Sequence, residues 1–133
     1  MRAERGGKPI VFALTGGERH EQLALPTLLE SGTVKRTGRG RPRLRPHRIA
    51  GDKGYSSRSV RHYLQARGIG AVIPRRRDEP PQATFDRAAY RERNRVERLF
   101  NRLKQHRAIA TRYEKRADHY AAFLLIASIL LWL

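Results

Sequence analysis

Tyr90, Arg93, Glu97 and Lys104 are spaced so that one acid falls among cations along a single side of a helix. At about 100° per residue, the four lie within a stripe roughly 60° wide. Val96, Leu99, Phe100 and Leu103 make an adjoining apolar face at helical spacing. The stretch from Tyr90 to Lys104 therefore reads as one basic helix, packed on one side and presenting a carboxylate ringed by Arg and Lys on the next. Such a carboxylate can hold a divalent metal against a phosphate while the cations grip a nucleic-acid backbone. The plain alternative is a solvated acid that pairs with Arg93 at i,i+4 and offsets the charge of its own helix.

Asp52 is the second candidate acid. It follows the short apolar approach Ile49-Ala50-Gly51 and precedes Gly54. A carboxylate at a strand end before a glycine turn is held rigidly enough to serve as a metal ligand. Asp-Lys-Gly-Tyr is equally an ordinary turn sequence. Together, Asp52 and Glu97 could hold Mg²⁺, which takes one or two carboxylates plus phosphate oxygens and water. Two-metal phosphoryl transfer usually needs a third acid, and none of Glu4, Glu18, Glu21 or Glu30 is placed at a strand end. Within the basic Gly/Pro-rich loop 35–48, Arg39-Gly40-Arg41-Pro42-Arg43 resembles an AT-hook, whose arginines lie along a narrow A·T minor groove. Phosphate contact from a flexible basic loop is the plainer reading. His20-Glu21 starts like a zinc-protease helix, but Ala24 stands where the second histidine belongs. His47, His62, His106 and His119 show no ligand spacing.

The chain has 133 residues, with 29 Lys plus Arg against 12 Asp plus Glu, a formal net charge of +17. That charge favours polyanionic partners, nucleic acid first, without choosing between DNA and RNA. A membrane surface is the weaker rival, because the charge runs through loops as well as one amphipathic helix. With no cysteine, disulfides and thiolate metal sites are excluded. The first residues carry no apolar signal core. The longest apolar run, Tyr120 to Leu133, falls short of the ~20 residues that span a bilayer and reads as a buried helix.

These residues need elements to position them. Ile10 to Leu14 is of strand composition and length. A helix is expected from Glu18 to Ser31, with Pro26 awkwardly inside it and Gly32 as the stop. A second helix is expected from a Ser56 or Ser57 cap to Arg67, with Val60, Tyr63 and Leu64 inward and Gly68 ending it. Ile69 to Ile73 reads as a strand and Arg75 to Thr84 as a charged loop. The basic helix should run on to Arg107, a connector from Ile109 to Arg116, and a last helix from an Asp118 cap. This order predicts an α/β layer fold. Its three short strands make a thin sheet for such apolar helices.

The spacing Tyr90, Arg93, Glu97, Lys104 resembles the YREK signature of bacterial insertion-sequence DDE transposases. Flanking text is similar too: Leu14 to Glu21, Gly38 to Arg43, Gly51 to Ser57 and Ile109 to Lys115. The resemblance covers essentially the whole chain and implies an α/β, ribonuclease H-like catalytic core. By that resemblance Asp52 matches the family's second catalytic aspartate and Glu97 its glutamate. In the family these acids bind Mg²⁺, with Mn²⁺ as a substitute, and activate water and then a 3′-hydroxyl against phosphodiesters at the element's ends. Tyr90, Arg93 and Lys104 match residues associated with the DNA backbone.

The family's first aspartate, on a central strand, has no counterpart in residues 1–133. The expectation is therefore the C-terminal portion of a catalytic domain, with a partial core and long C-terminal helices. It would be either a remnant or a second reading frame, and inactive alone. The partners implied are double-stranded DNA at transposon ends and target, the upstream-encoded half, and a homo-oligomer. No membrane is implied, and the setting is a bacterial cytoplasm, at the nucleoid. A non-catalytic basic DNA-binding protein with an AT-hook-like loop is the alternative.

Overall fold

Strand β3 (Arg48–Ala50), helix α2 (Arg58–Gln65) and strand β4 (Gly70–Val72) form a parallel β-α-β unit, with Ile49 paired to Ala71 and Ala50 to Val72. The computed structural model describes residues 1–16, 21–34 and 38–133. Helix α2 forms where the sequence signals it. Ser57 caps it by accepting from the Val60 amide at 3.2 Å. At the other end Gly68 takes φ +66°, while the Gly68 amide reaches the Gln65 carbonyl and the Ile69 amide the Leu64 carbonyl, both at 2.9 Å. This left-handed cap needs a residue without a Cβ, and it brings Ile69 back onto Leu64 in the core.

Helix α1 (Leu25–Glu30) covers the same unit, preceded by a 3₁₀ turn over Glu21–Ala24. The expected single helix from Glu18 thus divides at Leu25. Pro26, with no amide proton to donate, occupies the first turn of α1, where that proton would have no helical partner. Residues Glu18 to His20 and Lys35 to Thr37, which begin that helix and the basic loop, lie outside the described residues. Leu25, Leu29, Val60, Leu64, Ile69 and Ile73 make the first core, and Leu64 is fully buried.

A second core joins helices α4 (Asn94–Lys104), α5 (Arg107–Ala110) and α6 (Ala117–Leu130) through Leu99, Leu103, Ile109 and Ala127. The connector expected after Ile109 is therefore partly the short helix α5. An antiparallel ribbon, β1 (Arg2–Ala3) with β2 (Pro9–Val11), bridges the two cores. Met1 and Ala3 pack on the second core, while the Arg2 guanidinium donates to the carbonyls of Ser31 (3.2 Å) and Leu44 (2.8 Å) beside the first. The Trp132 indole ties the chain end to the Pro9 carbonyl at 2.7 Å. Gly32, at φ +75°, lets β2 pass so close to the end of α1 that a Cβ there would stand 2.8 Å from Ile10 Cγ2.

The mixed helix and strand content meets the α/β expectation, but among the described residues the strands form two separate two-stranded sheets. Two further expectations change. The basic helix from Tyr90 to Lys104 is pinched into α3 (Arg87–Arg91) and α4, because around Glu92 and Arg93 the amides of Arg93, Arg95 and Val96 bond three residues back. Backbone angles stay helical at Glu92 and Arg93, so the joint is a tightened turn and keeps its direction. Helix α6 is not enclosed: α4 and α5 cover one side, while Phe123, Leu125, Ile126, Ile129 and Leu130 stay exposed. A helix apolar all round needs neighbours on every side, and the described elements supply one.

Candidate functional site

Glu97 lies in the first turn of α4, on its exposed side. Its Oε1 accepts from the Arg93 guanidinium at 2.6 Å, and that guanidinium lies 5.5 Å from the centre of the Tyr90 ring. Tyr90 in turn packs on Phe85, with ring centres 5.4 Å apart. The tightened turn at Arg93 thus preserves the expected stripe: Tyr90, Arg93 and Glu97 are in sequential contact, and Lys104 is exposed about two turns further on. Leu99 and Leu103 fix the rotation of α4 by burying completely at i and i+4. The expected apolar face is narrower than drawn. Phe100 is 44% exposed, because it sits about 100° around the helix from Leu99, past the edge of what α6 covers.

Asp52 stands immediately after β3, as its sequence context predicts. Its Oδ1 accepts from the Gly54 amide at 2.8 Å, and the residue caps a short 3₁₀ turn over Lys53–Tyr55. The geometry is that of an ordinary Asx turn, yet it also holds the carboxylate at a fixed place beyond the strand end. Burial, helped by the carboxylates of Glu21 and Asp52, pushes the neighbouring Tyr55 hydroxyl above its usual range. Asp52 belongs to the first core's unit and Glu97 to the second. A linkage runs between them: Arg48, on the strand that leads to Asp52, pairs with Asp86 at 2.9 Å, and Asp86 caps α3 through the Ala89 amide at 2.8 Å. That cap, with the Arg48 guanidinium, holds the Asp86 carboxyl below the usual carboxylate range.

Both carboxylates offer hard oxygen donors of the kind Mg²⁺ takes, and with no cysteine in the chain no thiolate competes with them. Among the described residues, Asp52 Oδ2 and Glu97 Oε2 accept no hydrogen bond, so each acid keeps an oxygen for a ligand. Among those residues, no three His, Asp or Glu side chains gather into a metal-binding group. The donor set thus suits a divalent cation at one or two positions but falls short of a full two-metal cluster.

Arg39 and Arg41 are exposed on a loop closed at its base by a bridge between Val34 and Arg43, whose amides and carbonyls exchange bonds of 2.8 Å. The Arg2 contact to Leu44 anchors that base. Gly38 to Pro42, within the expected basic loop, thus lie between the two residues of that single bridge. His119 approaches Glu114 at 3.4 Å, a surface pair. No described helix is long and apolar enough to cross a membrane.

Sequence reading missed Glu79. Its carboxylate gathers the Ser56 hydroxyl, the Arg76 amide (2.9 Å) and the Arg61 guanidinium (3.4 Å), and these donors, Ser56 first, hold it below the usual carboxylate range. The available signal was an acid within the run Arg75-Arg76-Arg77-Asp78-Glu79, read above only as a charged loop.

The site defines a class: mixed helix and strand, strongly basic, with an acid set between cations on an exposed helix face. The sequence model of the DDE transposase domain matches residues 49–133, and the chain belongs to that family. A protein of Burkholderia cepacia described as "Putative transposase for insertion sequence element IS402" is 34% identical over 128 residues, covering 96% of this chain and 58% of that protein. Its counterpart for element IS6501 in Brucella ovis, described in the same words, is 33% identical over 89 residues, 64% of this chain and 66% of that protein. The chain thus spans less than two thirds of the length of these relatives. No solved structure matches it.

Proposed function

We propose that residues 1–133 are the C-terminal portion of a transposase catalytic domain that cleaves phosphodiesters and transfers strands at the ends of an insertion sequence. The observation that carries this reading is the contiguous Tyr90–Arg93–Glu97 array at the family's signature spacing. In it, Asp52 and Glu97 are the Mg²⁺ ligands, and Mn²⁺ substitutes. A bound metal would supply Lewis-acid polarisation of the phosphate and a nucleophilic water at neutral pH. Arg93 and Lys104 hold the scissile strand by its phosphates, and Tyr90 backs the Arg93 guanidinium. The bond that forms is oxygen to phosphorus, and the P–O bond opposite breaks in line. The third acid, on the central strand of a ribonuclease H-like core, comes from sequence outside these residues. The two separate two-stranded sheets and the uncovered face of α6 support a core completed in that way. On this reading the partners are double-stranded DNA and the remainder of the transposase, in the cytoplasm of a bacterium.

The test uses labelled double-stranded DNA with the 133-residue chain and with a version completed upstream. Nicking that depends on Mg²⁺ or Mn²⁺ should vanish with Glu97→Ala while DNA binding survives. Equal nicking by the variant would overturn the role of Glu97. A second reading, a binding protein without catalysis, rests on the exposure of Arg39 and Arg41 beyond the Val34–Arg43 bridge. Arg39→Ala with Arg41→Ala should then abolish any preference for A·T-rich duplex, and an unchanged preference would end that reading.

A further inference from the structure

The loop that follows β4 folds back over the turn that carries Asp52. The Arg76 side chain lies across that turn, its Nε donating to the Lys53 carbonyl at 3.2 Å and its other guanidinium nitrogen to the Gly54 carbonyl at 3.3 Å. These carbonyls belong to the first two turn residues after Asp52. Arg76 is itself held at its root, since its amide donates to Glu79 Oε2 at 2.9 Å. The same oxygen accepts from Ser56, the 1%-exposed residue that closes the Asp52 turn, and from Arg61 on α2. Arg61 also reaches Ser56 Oγ at 2.8 Å and the Ile73 carbonyl at 3.1 Å, which returns the network to the end of β4. Arg75 adds a bond to the Glu79 carbonyl at 3.0 Å.

The geometry points to Arg76 and Glu79 as positioning residues for Asp52: Glu79 fixes the root of Arg76, and Arg76 fixes the turn that aims the carboxylate. This rests on the reading of Asp52 as a metal ligand and adds the device that preorganises it. An exposed Asx turn on its own samples several conformations, and a guanidinium bonded to two of its carbonyls restricts that freedom before any ligand arrives, alongside the Gln22 side-chain amide, which donates to the Gly54 carbonyl as well. Neither residue touches the DNA phosphate or the metal in this account.

The reporter is the Gly54 amide, which donates to Asp52 Oδ1. Its hydrogen exchange is measured by NMR in the ¹⁵N-labelled 133-residue chain, metal-free. Arg76→Gln and Glu79→Gln should each speed Gly54 exchange about tenfold, with Arg76→Lys in between because it keeps the charge but loses the planar fork that spans both carbonyls. The Leu64 amide, within α2, should keep its rate in all three. Unchanged Gly54 exchange overturns the proposal, and so does equal acceleration at Leu64, which would mark a structural role only. A separate arm titrates Mn²⁺ and follows paramagnetic broadening at Gly54 and Tyr55. Broadening should disappear in Asp52→Asn and require several-fold more Mn²⁺ in Arg76→Gln. Expected exchange rates with no broadening in the unaltered chain would remove the metal reading and leave the positioning of Asp52 standing.

Discussion

Replacing Glu97 by Gln should tighten metal-free DNA binding, although it removes the acid on which the proposed chemistry depends. In the structure Glu97 engages Arg93 at 2.6 Å on a helix face otherwise rich in cations. A phosphate approaching that face meets one negative charge and one guanidinium already occupied. At about 4 Å in a water-like dielectric, removing a unit of repulsion is worth about 1 kcal/mol, or about fivefold in affinity. Freeing Arg93 to bind a phosphate adds one released counterion, steepening the log–log salt dependence by about 0.9. The loss in fold stability should be small. The Glu97 side chain is 54% exposed, and an i,i+4 pair with its helix N-terminal contribution is worth at most about 1 kcal/mol. The assay is fluorescence anisotropy of a labelled duplex in EDTA across a salt series, with circular dichroism as the control for folding. Adding Mg²⁺ should narrow the gap between the two proteins, because the cation neutralises Glu97 only where Glu97 is present. Equal or weaker binding by the variant in EDTA would refute the placement of Glu97 at the phosphate-facing surface.

The two cores should respond to truncation according to burial. Leu64→Ala, at a fully buried site, should cost roughly 3–5 kcal/mol in urea unfolding, whereas Ile126→Ala, 57% exposed on α6, should stay within about 0.5 kcal/mol. Similar costs at the two sites would contradict the uncovered face of α6. The Glu79 carboxyl is held low by Ser56, Arg76 and Arg61, so its contribution is fully present above the unfolded value near ~4.3 and fades as pH falls through the lower folded value. Acid titration followed by unfolding should therefore show a loss below about pH 4.3 that Glu79→Gln removes, while stability at pH 7 drops in that variant. An identical acid profile in both would deny Glu79 its place in the network.

Local signals were legible where one residue's chemistry decides them. Ser57 as a cap, Gly68 and Gly32 as left-handed stops and Asp52 at a strand end all stand where their types demand. The Tyr90–Arg93–Glu97 stripe survives because i,i+3 and i,i+4 neighbours meet in a helix whatever surrounds it. Less legible were features that depend on distant chain. The strand Arg2–Ala3 has no periodicity to betray it and exists because Pro9–Val11 pairs with it. Pro26 looked like a flaw inside a longer helix, and it is the first turn of a shorter one.

By itself the sequence determined the charge, the exclusion of cysteine chemistry, the identities and spacing of the candidate acids and cations, and the family. These are properties of residue type and of short separations along the chain. Only the tertiary structure decided that Arg76 reaches back over the Asp52 turn, that Glu79 organises that contact, and that Arg48 and Asp86 link the two acids' elements. It also decided which side of an apolar helix is covered. Arg76 meets the Asp52 turn and Arg48 meets Asp86 across 22 or more positions, and Glu79, which bonds Arg76 three residues away, also joins Ser56 across 23 and Arg61 across 18; the packing of two small cores sets these longer contacts.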